Sequence, residues 1–300
     1  MELINTGCFN CGSNKYSYYD SENGYNLVKC DKCGLLFVNP RPSDKEISIA
    51  SQTGIHKGDN DLNVTNTFRD DLVNKYKQVL NDFYKPSEFL KKSWLDIGCG
   101  NGELVFSLGL FSFNELSVKG YEPNINKVHN AKKKNLMVSN SYPINDNFKF
   151  DFVSLLNVFS HLPNPEKTII EYRNLLSQDG EILIETGNSS HLPPKYHFKP
   201  YLLPDHLCFA NKRIIVGLLK RNGFKIMKIK IYRGTYYPDL NIRNILKELL
   251  KWIMGRKNYF RTFFPFYQHG DMYIRAKKSD LVETIDIITC NLKNLYILQL

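Results

Sequence analysis

The 300-residue sequence lacks any apolar run long enough to cross a bilayer. Its apolar patch Leu246–Met254 is short, and three charged residues interrupt it. Residues 1–12 have neither a basic start nor an apolar centre, so they do not resemble a signal peptide. These absences argue against secreted and membrane-spanning classes. We therefore expect a soluble protein of the cytoplasm without a membrane span.

Acidic residues are scarce in only one part of the chain. Residues 211–278 contain 17 Lys and Arg against 3 Asp and Glu, whereas residues 1–210 contain 22 against 24. A basic surface can attract nucleic acid, a membrane or a phosphorylated substrate, and a solvated lysine-rich face is the alternative. Because 42% of the residues are hydrophobic, the chain can bury a sizeable core in one large or two unequal domains.

The most informative stretch is Trp94–Glu103, in which an apolar run ends and glycines follow at alternate positions. Asp96 precedes Gly98, Gly100 and Gly102, and an amphipathic segment comes next. This order predicts a buried parallel strand, a tight turn and a helix N-terminus whose free N–H groups point at a ligand. The glycines lie at positions 1, 3 and 5, unlike the 1, 3 and 6 of the dinucleotide fingerprint. The pattern predicts an adenosine-containing cofactor, with an ordinary glycine-rich turn as the alternative.

A second acid follows at the spacing expected for a ribose contact. Glu122 ends a short predicted strand and lies 24 residues after Gly98, close to the ~20 expected. Pro123 suits the first turn of the next helix. A carboxylate there can accept two hydrogen bonds from ribose hydroxyl groups. The alternative is a solvated glutamate at a strand end.

Four of the seven cysteines form two closely spaced pairs. Cys8 and Cys11 make one C-x2-C pair, Cys30 and Cys33 make another, and 18 residues separate the pairs. This spacing matches a structural Zn²⁺ site closed by four thiolates. Two disulfides or a redox-active C-x-x-C are the alternatives, which an intracellular location disfavours.

Two groups of residues carry a family resemblance. The turn with Gly98 resembles motif I of the class I S-adenosylmethionine-dependent methyltransferases. The C-x-x-C-G of Cys30–Gly34, an apolar strand and N-P-R-P at Asn39–Pro42 are similar to bacterial methyltransferases with an N-terminal zinc-binding segment. That group includes sugar C-methyltransferases and polysaccharide-modifying enzymes, and the resemblance covers residues 8 to about 277. It implies S-adenosyl-L-methionine and structural Zn²⁺, with these cofactor contacts: Asp96, Gly98, Gly100, Gly102 and Glu122.

The rest of the chain predicts an α/β fold of the Rossmann-like class. Residues 43–92 indicate a polar loop and then a helix, which would form a lid or linker. Strands and helices then alternate, which predicts a mostly parallel sheet with helices on both faces. We expect the following units: a zinc-ribbon segment at 1–42, the lid or linker at 43–92, a cofactor-binding domain at 93–278 with a basic insertion at 233–268, and a tail at 279–300.

Two later segments resemble family motifs that contain histidine. The stretch Phe150–Pro165 is similar to the fourth-strand motif, which implies that Asn157 contacts the methionine part of the cofactor. Ser160 replaces a glutamate that helps some O-methyltransferase relatives hold a metal, so the resemblance does not extend to a catalytic metal. His161 is a candidate catalytic residue, with a structural role as the alternative.

The loop after the fifth strand is the candidate for acceptor recognition, because ligands of open α/β sheets bind beyond the carboxyl ends of the strands. Its segment Pro204–Phe209 is similar to a family segment in which a histidine serves as base. The resemblance thus implies that His206 is the general base, with a bracing role as the alternative.

The resemblance implies methyl transfer to a small-molecule acceptor, such as a sugar, nucleotide-sugar or surface-polysaccharide precursor, phosphorylated ones among them. The chemistry would rest on proximity and on a base of near-neutral pKa. An RNA methyltransferase with a zinc ribbon is the first alternative, and nucleic acid would then be the partner. A non-catalytic cofactor-binding module is the second.

Overall fold

The computed structural model describes residues 2–142, 148–233, 241–256, 258–263 and 270–279. The predicted tail at 279–300 therefore lies outside the described residues except for Ser279, as does part of the predicted insertion at 233–268. The strands have these bounds: β1 Leu3–Ile4, β2 Tyr16–Glu22, β3 Tyr25–Cys30, β4 Leu36–Val38, β5 Arg41–Pro42, β6 Ile55–His56, β7 Leu62–Asn63, β8 Ser93–Ile97, β9 Ser117–Tyr121, β10 Val138–Ser139, β11 Phe150–Leu156, β12 Leu176–Gly187, β13 Cys208–Phe209, β14 Phe224–Arg233 and β15 Gly270–Lys278.

Seven α-helices join these strands in the described part of the chain. They have these bounds: α1 Asp44–Thr53, α2 Asp70–Phe83, α3 Glu103–Phe111, α4 Ile125–Lys132, α5 Pro165–Leu175, α6 Lys212–Arg221 and α7 Ile242–Ile253. Among the described residues, no helix combines the length and the apolar character that crossing a membrane requires.

The centre of the fold is a seven-stranded sheet in the order β10-β9-β8-β11-β12-β15-β14. The five strands from β10 to β12 run parallel, because each helical crossover returns the chain in the same direction. The last two strands pair antiparallel and form one edge. This mostly parallel, Rossmann-like arrangement confirms the predicted fold class.

The N-terminal residues form a smaller sheet in the order β13-β4-β3-β2. Its strand β13 comes from the loop after β12, so Cys208 pairs with Phe37 across 171 residues of sequence. The buried side chains of Cys8, Val28 and Phe37 belong to the same hydrophobic cluster as those of the central sheet. The N-terminal segment is thus joined to the acceptor-side loop through strand pairing and a shared core.

The structure corrects the polar loop that we expected at the start of residues 43–92. Helix α1 lies there instead. The Ser43 hydroxyl oxygen accepts from the N–H of Glu46, and Gly54 ends the helix at a φ of 74°. The apolar residues of this helix repeat too weakly to predict it from the sequence. Ser43 and Gly54 nevertheless mark its two ends. The helix that we expected after the loop is α2, which begins at Asp70.

Candidate active site

The glycine turn connects β8 to α3 and needs glycine for two physical reasons. Gly98, Gly100 and Gly102 have φ of 67°, 59° and 90°, which side chains with a Cβ rarely adopt. A Cβ on Gly98 would lie 2.5 Å from Cγ2 of Val158, and one on Gly102 would lie 2.6 Å from Cδ1 of Leu136. The turn therefore packs closely on both sides, while its backbone remains open toward the sheet edge at Gly100.

A cavity of about 940 Å³ lies beyond the carboxyl ends of the parallel strands. It is lined by most of the residues that the sequence assigns to the site, which are Gly98, Gly100, Glu122, Asn157, His161 and His206. The structure thus brings residues from 98 to 206 together at one edge, where open α/β sheets bind ligands. This volume lies within the ~300–1,000 Å³ range of small-molecule sites.

Two predicted cofactor residues do not line this cavity. Gly102 lies at the N-cap of α3, where it allows the close packing against Leu136. Asp96 is buried below the turn and accepts a 2.6 Å hydrogen bond from the Ser154 hydroxyl group, which itself accepts from Nε1 of Trp94. Burial raises the pKa of the Asp96 carboxyl group to about 7. Both residues therefore stabilise the turn and do not line the cavity.

Glu122 connects the turn to the next strand. Its Oε2 accepts from the N–H of Gly100 at 2.9 Å, and its Oε1 accepts from the N–H of Asn124 at 3.0 Å. Each oxygen retains a second lone pair for a ligand hydroxyl group. Burial raises the pKa of this carboxyl group above its ordinary value of 4.5. The geometry fits a ribose contact beside the glycine turn.

Asn157 follows β11 in a left-handed conformation, with a φ of 57°. Its N–H donates to the carbonyl oxygen of Glu185 on the neighbouring strand β12, at 3.3 Å. This anchor leaves the exposed Asn157 side chain on the cavity wall. The position beside the glycine turn fits the methionine portion of a cofactor, which would lie between Glu122 and Asn157.

A cluster of three histidines around one aspartate forms the opposite side of the cavity. Nδ1 of His161 lies 2.9 Å from the main-chain oxygen of Asp205 and 3.0 Å from its Oδ1. Nε2 of His56 lies 3.1 Å from the same Oδ1. The rings of His161 and His206 have centroids 4.9 Å apart. The Asp205 carboxylate therefore contacts the rings of His161 and His56, and the His206 ring lies next to that of His161.

The pKa values of the three rings are shifted in different directions because their surroundings differ. Burial disfavours the charge on His161, but the Asp205 carboxylate outweighs it and raises the pKa above 6.5. Burial lowers the pKa of His206 to about 4 and lowers that of His56 as well. Burial also opposes the charge on Asp205, yet the neighbouring histidines hold its pKa well below the usual range. At neutral pH the carboxylate is charged, and His206 and His56 are neutral.

The four paired cysteines meet at the outer end of the N-terminal sheet. Sγ of Cys8 lies 3.4 Å from Sγ of Cys33, and Sγ of Cys11 lies 3.6 Å from Sγ of Cys30. These separations exceed the ~2.05 Å of a disulfide bond. They are close to the ~3.8 Å between sulfurs in a tetrahedral site with Zn–S bonds of ~2.3 Å. All four sulfurs lie within 4.8 Å of one another, so the set could hold one ion.

Comparison with known proteins identifies the family. Residues 68–229, more than half of the chain, match the family described as methyltransferase domain. The chain belongs to this family.

The methyltransferase is 30% identical over 175 residues to a tRNA U34 carboxymethyltransferase of Campylobacter fetus, covering 53% of this chain and 58% of that protein. It is 32% identical over 121 residues to a ubiquinone biosynthesis O-methyltransferase of Glaesserella parasuis, covering 36% and 50% respectively. The chain thus spans about half the length of these curated relatives.

Among solved structures, the methyltransferase is similar to coclaurine N-methyltransferase bound to N-methylheliamine and S-adenosylhomocysteine. The TM-score is 0.50 and the sequence identity 13%, with 79% of this chain and 82% of that chain covered. At this identity the likeness concerns the fold alone. The family match confirms the methyltransferase family that the glycine turn and Glu122 indicated.

Sequence reasoning missed His56 in the site of the methyltransferase. This residue lies on the short strand β6, more than 100 residues before Asp205 in the sequence. The hairpin of β6 and β7 brings it to the cavity wall. No local spacing marks it, because its partner is reached only through the tertiary fold.

Proposed function

We propose that this methyltransferase transfers a methyl group from S-adenosylmethionine to a hydroxyl group of a small, sugar-type acceptor. One observation carries the proposal: a single cavity contains both the glycine turn with Glu122 and the histidine cluster around Asp205. When bound, the cofactor supplies an electrophilic methyl group on its sulfonium. The chain must then bind and orient the acceptor and accept its proton.

His161 has the surroundings of the proton acceptor. Its Nδ1–H donates to the carbonyl oxygen of Asp205, so the neutral ring keeps Nε2 as the basic atom. The Asp205 carboxylate raises its pKa above 6.5, which makes the ring a stronger base than an ordinary histidine. The adjacent carboxylate also stabilises the imidazolium that forms when the ring takes the proton, as in other aspartate–histidine pairs.

His206 differs from His161 in the direction of its pKa shift, although both rings line the cavity. Its Nδ1–H donates to the carbonyl oxygen of Tyr201 at 2.8 Å, so its Nε2 is also an acceptor. Because its pKa is about 4, the ring stays neutral at pH 7 and is the weaker base. Sequence analysis gave the role of base to His206. The two environments favour His161 as the base and His206 as the group that orients the acceptor hydroxyl.

The cavity favours a small acceptor over a polymer. Helix α1, strands β6 and β7 and the loop at residues 202–207 all contribute residues to its wall, so the wall surrounds a small ligand from several elements. Both polar and aliphatic side chains line it, including His56, Glu103, Ile47 and Leu72. Such a mixture suits a polyhydroxylated ligand. The sugar class itself rests on the family resemblance of the N-terminal segment.

The pH dependence of turnover tests the division of roles. A base must be neutral to accept a proton, so turnover should rise as pH increases through the raised pKa of His161, above 6.5. We expect His161→Ala to lower kcat by about 10²–10⁴-fold and to remove this limb. His206→Ala should mainly raise KM for the acceptor and keep the limb. An ascending limb near pH 4 that disappears only in His206→Ala would assign the base to His206 instead.

An RNA acceptor is the second candidate. The relative named as a tRNA U34 carboxymethyltransferase and the basic segment 211–278 favour it. RNA binding should then weaken steeply with salt, because lysines and arginines would replace counterions on the phosphates. Fluorescence anisotropy with labelled tRNA at several salt concentrations measures this slope. A flat or absent response supports the small-molecule acceptor.

We further propose that Cys8, Cys11, Cys30 and Cys33 hold one structural Zn²⁺. The sulfur separations of 3.4 and 3.6 Å support this, as do Gly12 and Gly34, whose positive φ closes each knuckle turn. Elemental analysis should find one zinc per chain. Cys30→Ser should lose it and destabilise the N-terminal sheet, whereas Cys99→Ser at an isolated thiol should keep it. Full zinc in Cys30→Ser would contradict the assignment.

A further inference from the structure

Helix α7 presents its apolar side to solvent. Four aliphatic residues repeat at helical spacing on one side, and all are largely exposed: Ile242 at 76%, Leu246 at 54%, Leu250 at 58% and Ile253 at 67%. A surface helix normally turns this stripe toward the core. The contiguous exposed stripe therefore marks an interaction surface.

Another side of α7 packs against residues 258–263. Glu248 is only 2% exposed, and its carboxylate accepts from Nζ of Lys251 at 2.5 Å and from the N–H of Tyr259 at 2.7 Å. The Trp252 ring stacks on Phe260, with centroids 5.8 Å apart and planes at 24°. These contacts hold the helix against residues 258–263. They fix the orientation in which the aliphatic stripe points outward.

Positive charge flanks the aliphatic stripe. Arg243 and Lys247 are both exposed and lie one helical turn apart beside it, and exposed Arg256 follows the helix. The segment 233–268 has seven Lys and Arg against two Asp and Glu. An apolar stripe with basic residues along its border matches the chemistry of an anionic lipid surface, in which phosphate headgroups lie above acyl chains.

We propose that α7 binds in the plane of a bilayer that contains anionic lipids. Its 12 residues extend about 18 Å, which is too short to cross a hydrocarbon core of ~30 Å but suits a helix lying at the interface. The stripe enters the acyl boundary, and Arg243 and Lys247 contact the headgroups. This proposal does not depend on the identity of the acceptor.

Charge argues against a second copy of the chain as the occupant. Two α7 stripes packed antiparallel about a two-fold axis would bring their arginine and lysine borders together, because the same residues flank both. Like charges in such contact are destabilising. A lipid surface with negative headgroups has the opposite sign and complements this border.

Co-sedimentation with vesicles tests the proposal. The full-length protein is mixed with vesicles of phosphatidylcholine alone or of phosphatidylcholine with phosphatidylglycerol, at low and high salt. We expect binding to the anionic vesicles, weakened by salt. Leu246→Glu with Ile253→Glu should lower binding to the anionic vesicles about tenfold or more. Arg243→Glu with Lys247→Glu should lower it on anionic vesicles.

Ile170→Glu is the matched control, because Ile170 on α5 is also an exposed aliphatic residue, at 44%. It should bind vesicles like the unsubstituted protein. Calorimetry with S-adenosylmethionine checks that every variant is folded. Absence of binding to anionic vesicles at low salt, or equal binding by the Leu246→Glu, Ile253→Glu variant, would overturn the proposal. Self-association in sedimentation velocity that this variant abolishes, without lipid binding, would assign the stripe to a second copy.

Discussion

Replacing Glu122 with alanine tests how the turn and the second strand hold the cofactor. The carboxylate already accepts from two main-chain N–H groups, and its remaining lone pairs face the cavity. Loss of its bonds to the ribose hydroxyl groups should cost roughly 1.5–3 kcal/mol, because hydrogen bonds to a charged group have this strength. The Kd for S-adenosylmethionine should rise by about 10- to 150-fold.

The same substitution also affects the protein without ligand. It leaves the N–H groups of Gly100 and Asn124 without their carboxylate acceptor, which should cost about 1–3 kcal/mol of unfolding free energy. Calorimetric titration must therefore be done well below the Tm of the variant, measured separately by thermal unfolding. Glu115→Ala is the control, because Glu115 is exposed and lies outside the cavity lining. An unchanged Kd in a folded Glu122→Ala protein would refute this reasoning.

Two further predictions concern the same turn. Gly98→Ala should weaken cofactor binding and lower the unfolding free energy by about 1–3 kcal/mol, because its φ of 67° disfavours alanine and the new Cβ would lie 2.5 Å from Val158; calorimetry and thermal melts measure both. The pKa of Glu122 is raised above 4.5. Cofactor affinity should fall as pH decreases through this pKa, because the protonated carboxyl group has no charge. Titrations from pH 7 to 4 should show this fall, and Glu122→Gln should show little pH dependence over the same range.

Local patterns predicted that the glycine turn and Glu122 lie together, which the structure shows. The turn with Gly98 and the strand end with Glu122 are defined by residues adjacent in sequence, and their spacing reflects one β-α-β unit. The structure places both on one cavity. Asp96 shows the limit of such patterns, since sequence alone does not reveal that its side chain points away from the cavity toward Ser154.

The acceptor half depended on contacts between distant segments. His56 on the β6–β7 hairpin meets Asp205 only through the tertiary fold, and β13 pairs with β4 across about 170 residues of sequence. Such pairings leave no periodic signal in the sequence. The different pKa shifts of His161 and His206 depend on burial and on the charge of Asp205, which the sequence alone does not show.

The most direct test of the account follows a labelled methyl group from S-adenosylmethionine. The purified protein is incubated with fractionated low-molecular-weight metabolites and, separately, with total RNA, and S-adenosylhomocysteine is quantified with the labelled product. We expect label in the small-molecule fraction with stoichiometric S-adenosylhomocysteine, and loss of both in His161→Ala. Label confined to RNA, or turnover unaffected by His161→Ala, would contradict the central claim that the cavity around Asp205 methylates a small acceptor.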